Sequence, residues 1–104
     1  MICALTVRRL HPGTFDEFRE AFLRDIDAEA PPTGWVRFNM IRGIDDPDEV
    51  VCFGFFDGTL DELRKTGQDG YADQQAAIAP YVASVGTDAL FDIVEDVAAV
   101  TPPR

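Results

Sequence analysis

Apolar and polar positions along this chain fall into six blocks, each with its own period. Residues 2–7 (ICALTV) and 50–56 (VVCFGFF) are apolar runs rich in β-branched and aromatic residues, which predicts two strands. Residues 35–42 (WVRFNMIR) and 89–97 predict two more. Phe15, Phe18, Phe22 and Ile26 recur at helical spacing while Asp16, Glu20, Arg24 and Asp27 fall on the opposite side, so a helix is expected to run from there until Pro31-Pro32 stops it. A second helical region starts near Leu60, is broken around Gly67, Asp69 and Gly70, and resumes with Tyr71, Ile78, Tyr81 and Val82. Gly86 reads as the C-cap of that second helix, ahead of the last strand.

Both helices open on the same phrase. GTFDEFRE begins at Gly13 and GTLDELRK at Gly58, with five of eight letters shared. Each copy places a Glu three residues after a Thr, Thr14 with Glu17 and Thr59 with Glu62, the spacing of a capping box. Between the second and third strands, GIDDPDE supplies the Pro and Asp residues of a tight turn, so those strands form a hairpin. The order is therefore β-α-β-β-α-β. It predicts an α+β chain with a ferredoxin-like four-stranded antiparallel sheet, one domain over residues 1–104, whose two halves each begin a helix with the repeated phrase.

With both helices on one side, the other face of the sheet is left bare, yet the third strand is apolar at every position. A second copy laid sheet against sheet covers it, so a homodimer through the sheet faces is expected. Composition narrows the partners further. Nineteen acidic against nine basic residues give a net charge of -10, which repels phosphate backbones and anionic bilayers and argues against nucleic acid or membrane partners. The start MICALTV lacks a basic leader and no stretch approaches 18 apolar residues, so a cytoplasmic protein is expected. Cys3 and Cys52 lie in apolar runs on neighbouring strands and read as small core residues.

The first strand leading through HPG into an aromatic-striped helix, the segment PTGWVRFNMIRGIDDPDEVV, the strand closing at Asp57 and the broken second helix together resemble the antibiotic biosynthesis monooxygenase family. The resemblance spans nearly the whole chain. It implies a dimeric α/β barrel, a pocket between helices and sheet, and a cofactor-independent monooxygenase oxidising a small aromatic or quinol-type substrate with dioxygen. The substrate supplies the electrons in such a scheme, so no cofactor or metal is implied. Many members carry a Glu, and two residues later a Trp, in the third strand where this chain has Gly54 and Phe56, and a His on the second helix where this chain reads LDELRKTGQDGYADQQ. The haem-degrading branch has an Asn on strand one, which is absent here. These departures keep an alternative in play, a non-catalytic, stress-related or ligand-holding dimeric barrel.

Candidate chemistry is sparse. Strict alternation puts Trp35, Arg37 and Asn39 on one face of strand two and Val36, Phe38 and Met40 on the other. Trp35 and Asn39 are candidate catalytic donors to a substrate oxygen, with Arg37 and Phe38 as substrate contacts; the same face would equally serve as a dimer interface. His11, the only histidine, is the candidate base, although its place before Pro12 is also that of an ordinary surface turn. Tyr71 and Tyr81 are candidate pocket walls or core residues. Asp45, Asp46, Asp48 and Glu49 lack the glycine and distant Glu of a calcium loop, and no metal-ligand spacing occurs.

Overall fold

The structure, a computed structural model, describes residues 1–24, 26, 34–66 and 70–95. Its elements are β1 (Ile2–Leu10), α1 (Phe15–Leu23), β2 (Trp35–Arg42), β3 (Glu49–Phe56), α2 (Leu60–Thr66), α3 (Tyr71–Ile78), a short 3-10 helix (Ala79–Tyr81) and β4 (Val82–Asp92). All pairings are antiparallel in the order β2-β3-β1-β4. This is the ferredoxin-like arrangement expected from the repeated phrase.

The two copies of the phrase start helices by different means. At α2 the capping box forms: the Glu62 amide donates to Thr59 Oγ1 at 3.2 Å and the Thr59 amide donates to Glu62 Oε1 at 3.1 Å. At α1 it does not, which corrects the expectation for Thr14 and Glu17. Thr14 sits at φ -104°, ψ 13°, outside the extended geometry an N-cap needs, and makes no side-chain cap. Its hydroxyl donates instead to the carbonyl of His11 at 2.8 Å and to that of Tyr81 at 3.4 Å, tying the loop before α1 to the 3-10 helix.

Three strand readings also change. β1 continues three residues past Val7, through Arg8 and Arg9 to Leu10. β4 begins at Val82 rather than Ala89, because Pro80 in the 3-10 helix ends the helical region early. Gly86 consequently lies inside β4, at a register shift opposite Val7 and Arg8, and is a bulge glycine rather than a helix cap. The end of the last predicted strand, residues 96 and 97, lies outside the described residues. Cys3 pairs with Phe55 whereas Cys52 pairs with Thr6, so the two cysteines are three register positions apart on opposite faces of the sheet.

The helices cover one sheet face and divide the core in two. One cluster gathers Leu10, Phe18, Val50, Cys52 and Ile78 under α1 and α3. The other gathers Ile2, Phe56 and Leu63 under α2, with Trp35 beside it. Between them the inward positions are Ala4 on β1 and Gly54 on β3, paired with each other. Two of the smallest side chains thus meet at mid-sheet, and a gap stays open above them.

Candidate functional site

That gap is a cavity of about 740 Å³ between the helices and the sheet. Ala4 and Gly54 form part of its floor, and Phe22, Leu63 and Leu90 are among its apolar walls. Trp35 and Phe38 lie together over Gly54, their ring centroids 5.0 Å apart, with Phe56 edge-on to Trp35 at 5.4 Å. A Cβ at position 54 would meet Trp35 Cζ3 at 2.9 Å and Phe38 Cδ1 at 3.0 Å, so the aromatic slab depends on glycine there. In the third strand, where many proteins of the resembled family carry a Glu and then a Trp, this chain has Gly54 and Phe56 and borrows its indole from β2.

The pairing of Trp35 and Phe38 corrects the simple alternation of β2. The register jumps between Trp35 and Arg37, leaving Val36 as an extra residue. Past that bulge the phase inverts: Phe38 pairs with Gly54 and Met40 with Cys52, both inward, while Arg37 and Asn39 pair with Phe55 and Phe53. Trp35 and Asn39 therefore sit on opposite faces, although Asn39 still borders the cavity.

At the α1 side of the cavity stands a residue that the reading of the sequence passed over. Arg8 is 3% exposed and borders the cavity. Its Nη1 donates to Thr6 Oγ1 at 2.8 Å, and its guanidinium carbon lies 6.0 and 5.9 Å from the ring centroids of Phe18 and Phe22. Among the described residues it forms no ion pair; the pairs present are those of its neighbour Arg9 with Asp46 and Glu49 at the surface. A buried guanidinium without a counter-charge is costly, so a site that can receive an anion is the natural place for one.

Two further groups face the same space. Tyr71 and Asp88 both border the cavity, and the Tyr71 hydroxyl donates to Asp88 Oδ2 at 3.2 Å. Burial raises the Tyr71 phenol, the negative Asp88 raises it further, and Arg8 opposes both, so Tyr71 is protonated at neutral pH. Burial likewise pushes the Cys52 thiol up to about 11, only partly offset by Arg8 and Thr6, which leaves it neutral and unreactive.

Of the residues singled out from sequence, Trp35, Phe38, Asn39 and Tyr71 border the cavity. His11, Arg37 and Tyr81 are not among its lining residues. His11 is exposed at the end of β1, where its amide donates to the Tyr81 carbonyl at 2.9 Å, and Tyr81 packs on the core beside Leu10 and Phe18. Arg8 was detectable in principle: Ile2, Ala4, Thr6, Arg8 and Leu10 share one phase of β1, and four of those five are apolar or small enough to point inward.

Neither a family model nor a curated protein matches the sequence. Solved structures do match its fold. A point mutant of SnoaB, a cofactor-independent oxygenase from Streptomyces nogalater, superposes with a TM-score of 0.72 at 21% identity, covering 94% of this chain and 97% of that one. A protein from Caulobacter crescentus CB15 assigned to the antibiotic biosynthesis monooxygenases superposes with a TM-score of 0.74 at 21% identity, covering 90% of each chain. One from Chloroflexus aurantiacus with the same assignment gives 0.70 at 14% identity over 93% of this chain and 96% of that one.

Proposed function

The chain has the fold of the antibiotic biosynthesis monooxygenases, and we propose that it is itself an oxygenase, one that oxidises a small aromatic or quinol-type substrate with dioxygen and no cofactor. The observation that carries this reading is the aromatic-walled cavity with a buried guanidinium on its wall that forms no ion pair among the described residues. Its volume of about 740 Å³ is in the range of small-molecule sites. Arg8 holds the substrate oxyanion, Trp35 and Phe38 stack on the ring, and Tyr71 with Asp88 stands beside it. Asn39 is a further contact at the edge.

For an anthrone the chemistry balances without help from a bound group. Loss of one proton from the ring methylene to solvent water gives an anion stabilised at Arg8. The anion passes one electron to dioxygen, and the resulting radical and superoxide join in a new C–O bond. Protonation gives a hydroperoxide, whose O–O bond breaks as the second methylene hydrogen leaves as a proton. The products are the quinone carbonyl and water, one oxygen atom in each, and all four electrons taken up by dioxygen come from the methylene carbon of the substrate.

The absence of an imidazole from the cavity wall favours a second reading, a barrel that holds such a ligand without turning it over. Oxygen uptake separates the two. With a panel of anthrones and hydroquinones, the wild type should consume oxygen well above buffer. Arg8→Met should lose about 100-fold or more, as removal of an oxyanion donor does, with smaller losses in Trp35→Phe and Asn39→Ala. Uptake no faster than buffer across the panel would remove the enzyme reading.

The partner expected at the outer sheet face belongs to the same proposal. Val51, Phe53 and Phe55 alternate with the buried positions of β3, the last two with ring centroids 5.9 Å apart, and Ile41 and Phe91 on the two edge strands, β2 and β4, are exposed. A second copy docked there closes the barrel. Sedimentation at micromolar concentration should give a particle of twice 11.5 kDa; a persistent monomer would contradict it.

A further inference from the structure

Resting on the oxygenase reading for its site, we infer that the cavity selects weak acids, phenols and enols that enter neutral and ionise once inside, over ligands that carry a permanent negative charge. The selection comes from two opposed electrostatic layers. On the outside, the chain carries a net charge of -10, and the cavity wall includes two exposed carboxylates, Asp73 of α3 and Asp88 of β4. A carboxylate or phosphate must approach against that field, whereas a neutral phenol meets no barrier. On the inside, the charged group of the wall is the Arg8 guanidinium on β1, 3% exposed, held by the Thr6 hydroxyl and two phenylalanine faces.

Among the described residues, the other titratable groups that border the cavity are Cys52, Tyr71 and the two exposed carboxylates Asp73 and Asp88. Cys52 on β3 is held as a thiol by burial, and the Tyr71 hydroxyl on α3 is protonated and donates to Asp88. An oxygen brought against Arg8 thus meets one cation in apolar surroundings, where an opposite charge at close range favours the ionised form most strongly. The apolar floor and the aromatic slab accept the ring that bears this oxygen.

The probe is 4-nitrophenol, whose ionised form absorbs visible light. Titrated against pH with saturating protein, the bound phenol should ionise about 1 to 3 units below the free one. In Arg8→Met that depression should vanish, and in Arg8→Lys, which keeps the charge, most of it should persist; thermal melting of both variants verifies the fold. At neutral pH, 4-nitrobenzoate, a permanent anion of the same shape, should bind at least 10-fold more weakly. No depression in the wild type, a depression that survives Arg8→Met, or nitrobenzoate bound as tightly as the phenol would each overturn the inference. Its fate is separable from that of the oxygenase reading. A depressed ionisation with no oxygen uptake leaves this inference standing and removes catalysis, while uptake without depression does the reverse.

Discussion

Phe18→Ala should cost about 3–5 kcal/mol, the range for removing a buried phenylalanine from a packed core. Phe18 is 0% exposed and joins both layers of the fold: it sits on α1 within the cluster of Leu10, Val50, Cys52 and Ile78, and its ring lies 5.8 Å from that of Phe22. Its ring also lies 6.0 Å from the Arg8 guanidinium carbon. The loss is a large share of the total stability of a domain this size. Urea unfolding should show a lower midpoint with an unchanged slope, and nitrophenol affinity should fall as well, because Arg8 loses one of the surfaces that position it. A midpoint within experimental error of wild type would show that the core is not organised around this ring.

Gly34→Ala should cost about 2–5 kcal/mol, from two causes at one atom. Gly34 adopts φ +90°, where a side chain strains the backbone by about 1–2 kcal/mol. The added Cβ would also overlap Cε2 of Phe56, a ring that is 2% exposed and cannot simply swing away. Displacing it adds the cost of overpacking, about 1–3 kcal/mol. Because the Gly34 carbonyl accepts the Asp57 amide at 2.8 Å, the strain also loosens the end of β3 that packs beside Trp35. Calorimetry should record a fall in melting temperature of several degrees or more. An unchanged melting temperature would contradict the packing of Phe56 against this turn.

Most of the architecture was legible because it repeats. The phrase at Gly13 and Gly58 marks the same helix start in both halves, and the apolar runs on either side have no other use than strands. What stayed hidden was where the phase changes. A bulge inserts one residue without altering the apolar content of a strand, so nothing in WVRFNMIR announces that Val36 is extra or that Asn39 falls on the opposite face from Trp35. Gly86 misled for a related reason, since glycine suits a helix end and a strand bulge equally well. The first capping box failed because spacing reports only which groups can reach one another; the backbone at Thr14 turned its hydroxyl toward His11 and Tyr81.

The site was harder to read than the fold. Arg8 and Arg9 look alike in sequence, as a charged pair ending an apolar run. In the structure they part company across the sheet, Arg9 reaching Asp46 at 2.6 Å in solvent and Arg8 turning inward onto two phenylalanine rings. The period of two predicts that separation once the strand is known to reach Leu10, but the apolar run that marks the strand in the sequence ends at Val7. The cavity itself had a visible cause in Ala4 and Gly54, but only their pairing across β1 and β3 makes two small residues into one gap.

The account depends above all on Arg8 meeting a ligand oxygen inside that gap. A crystal structure of the protein with a hydroxyanthraquinone tests this directly. The phenolic oxygen should lie about 3 Å from an Arg8 nitrogen, with the rings against Trp35 and above Gly54. An empty cavity at saturating ligand, or a ligand whose oxygens turn away from Arg8 toward solvent, would contradict it.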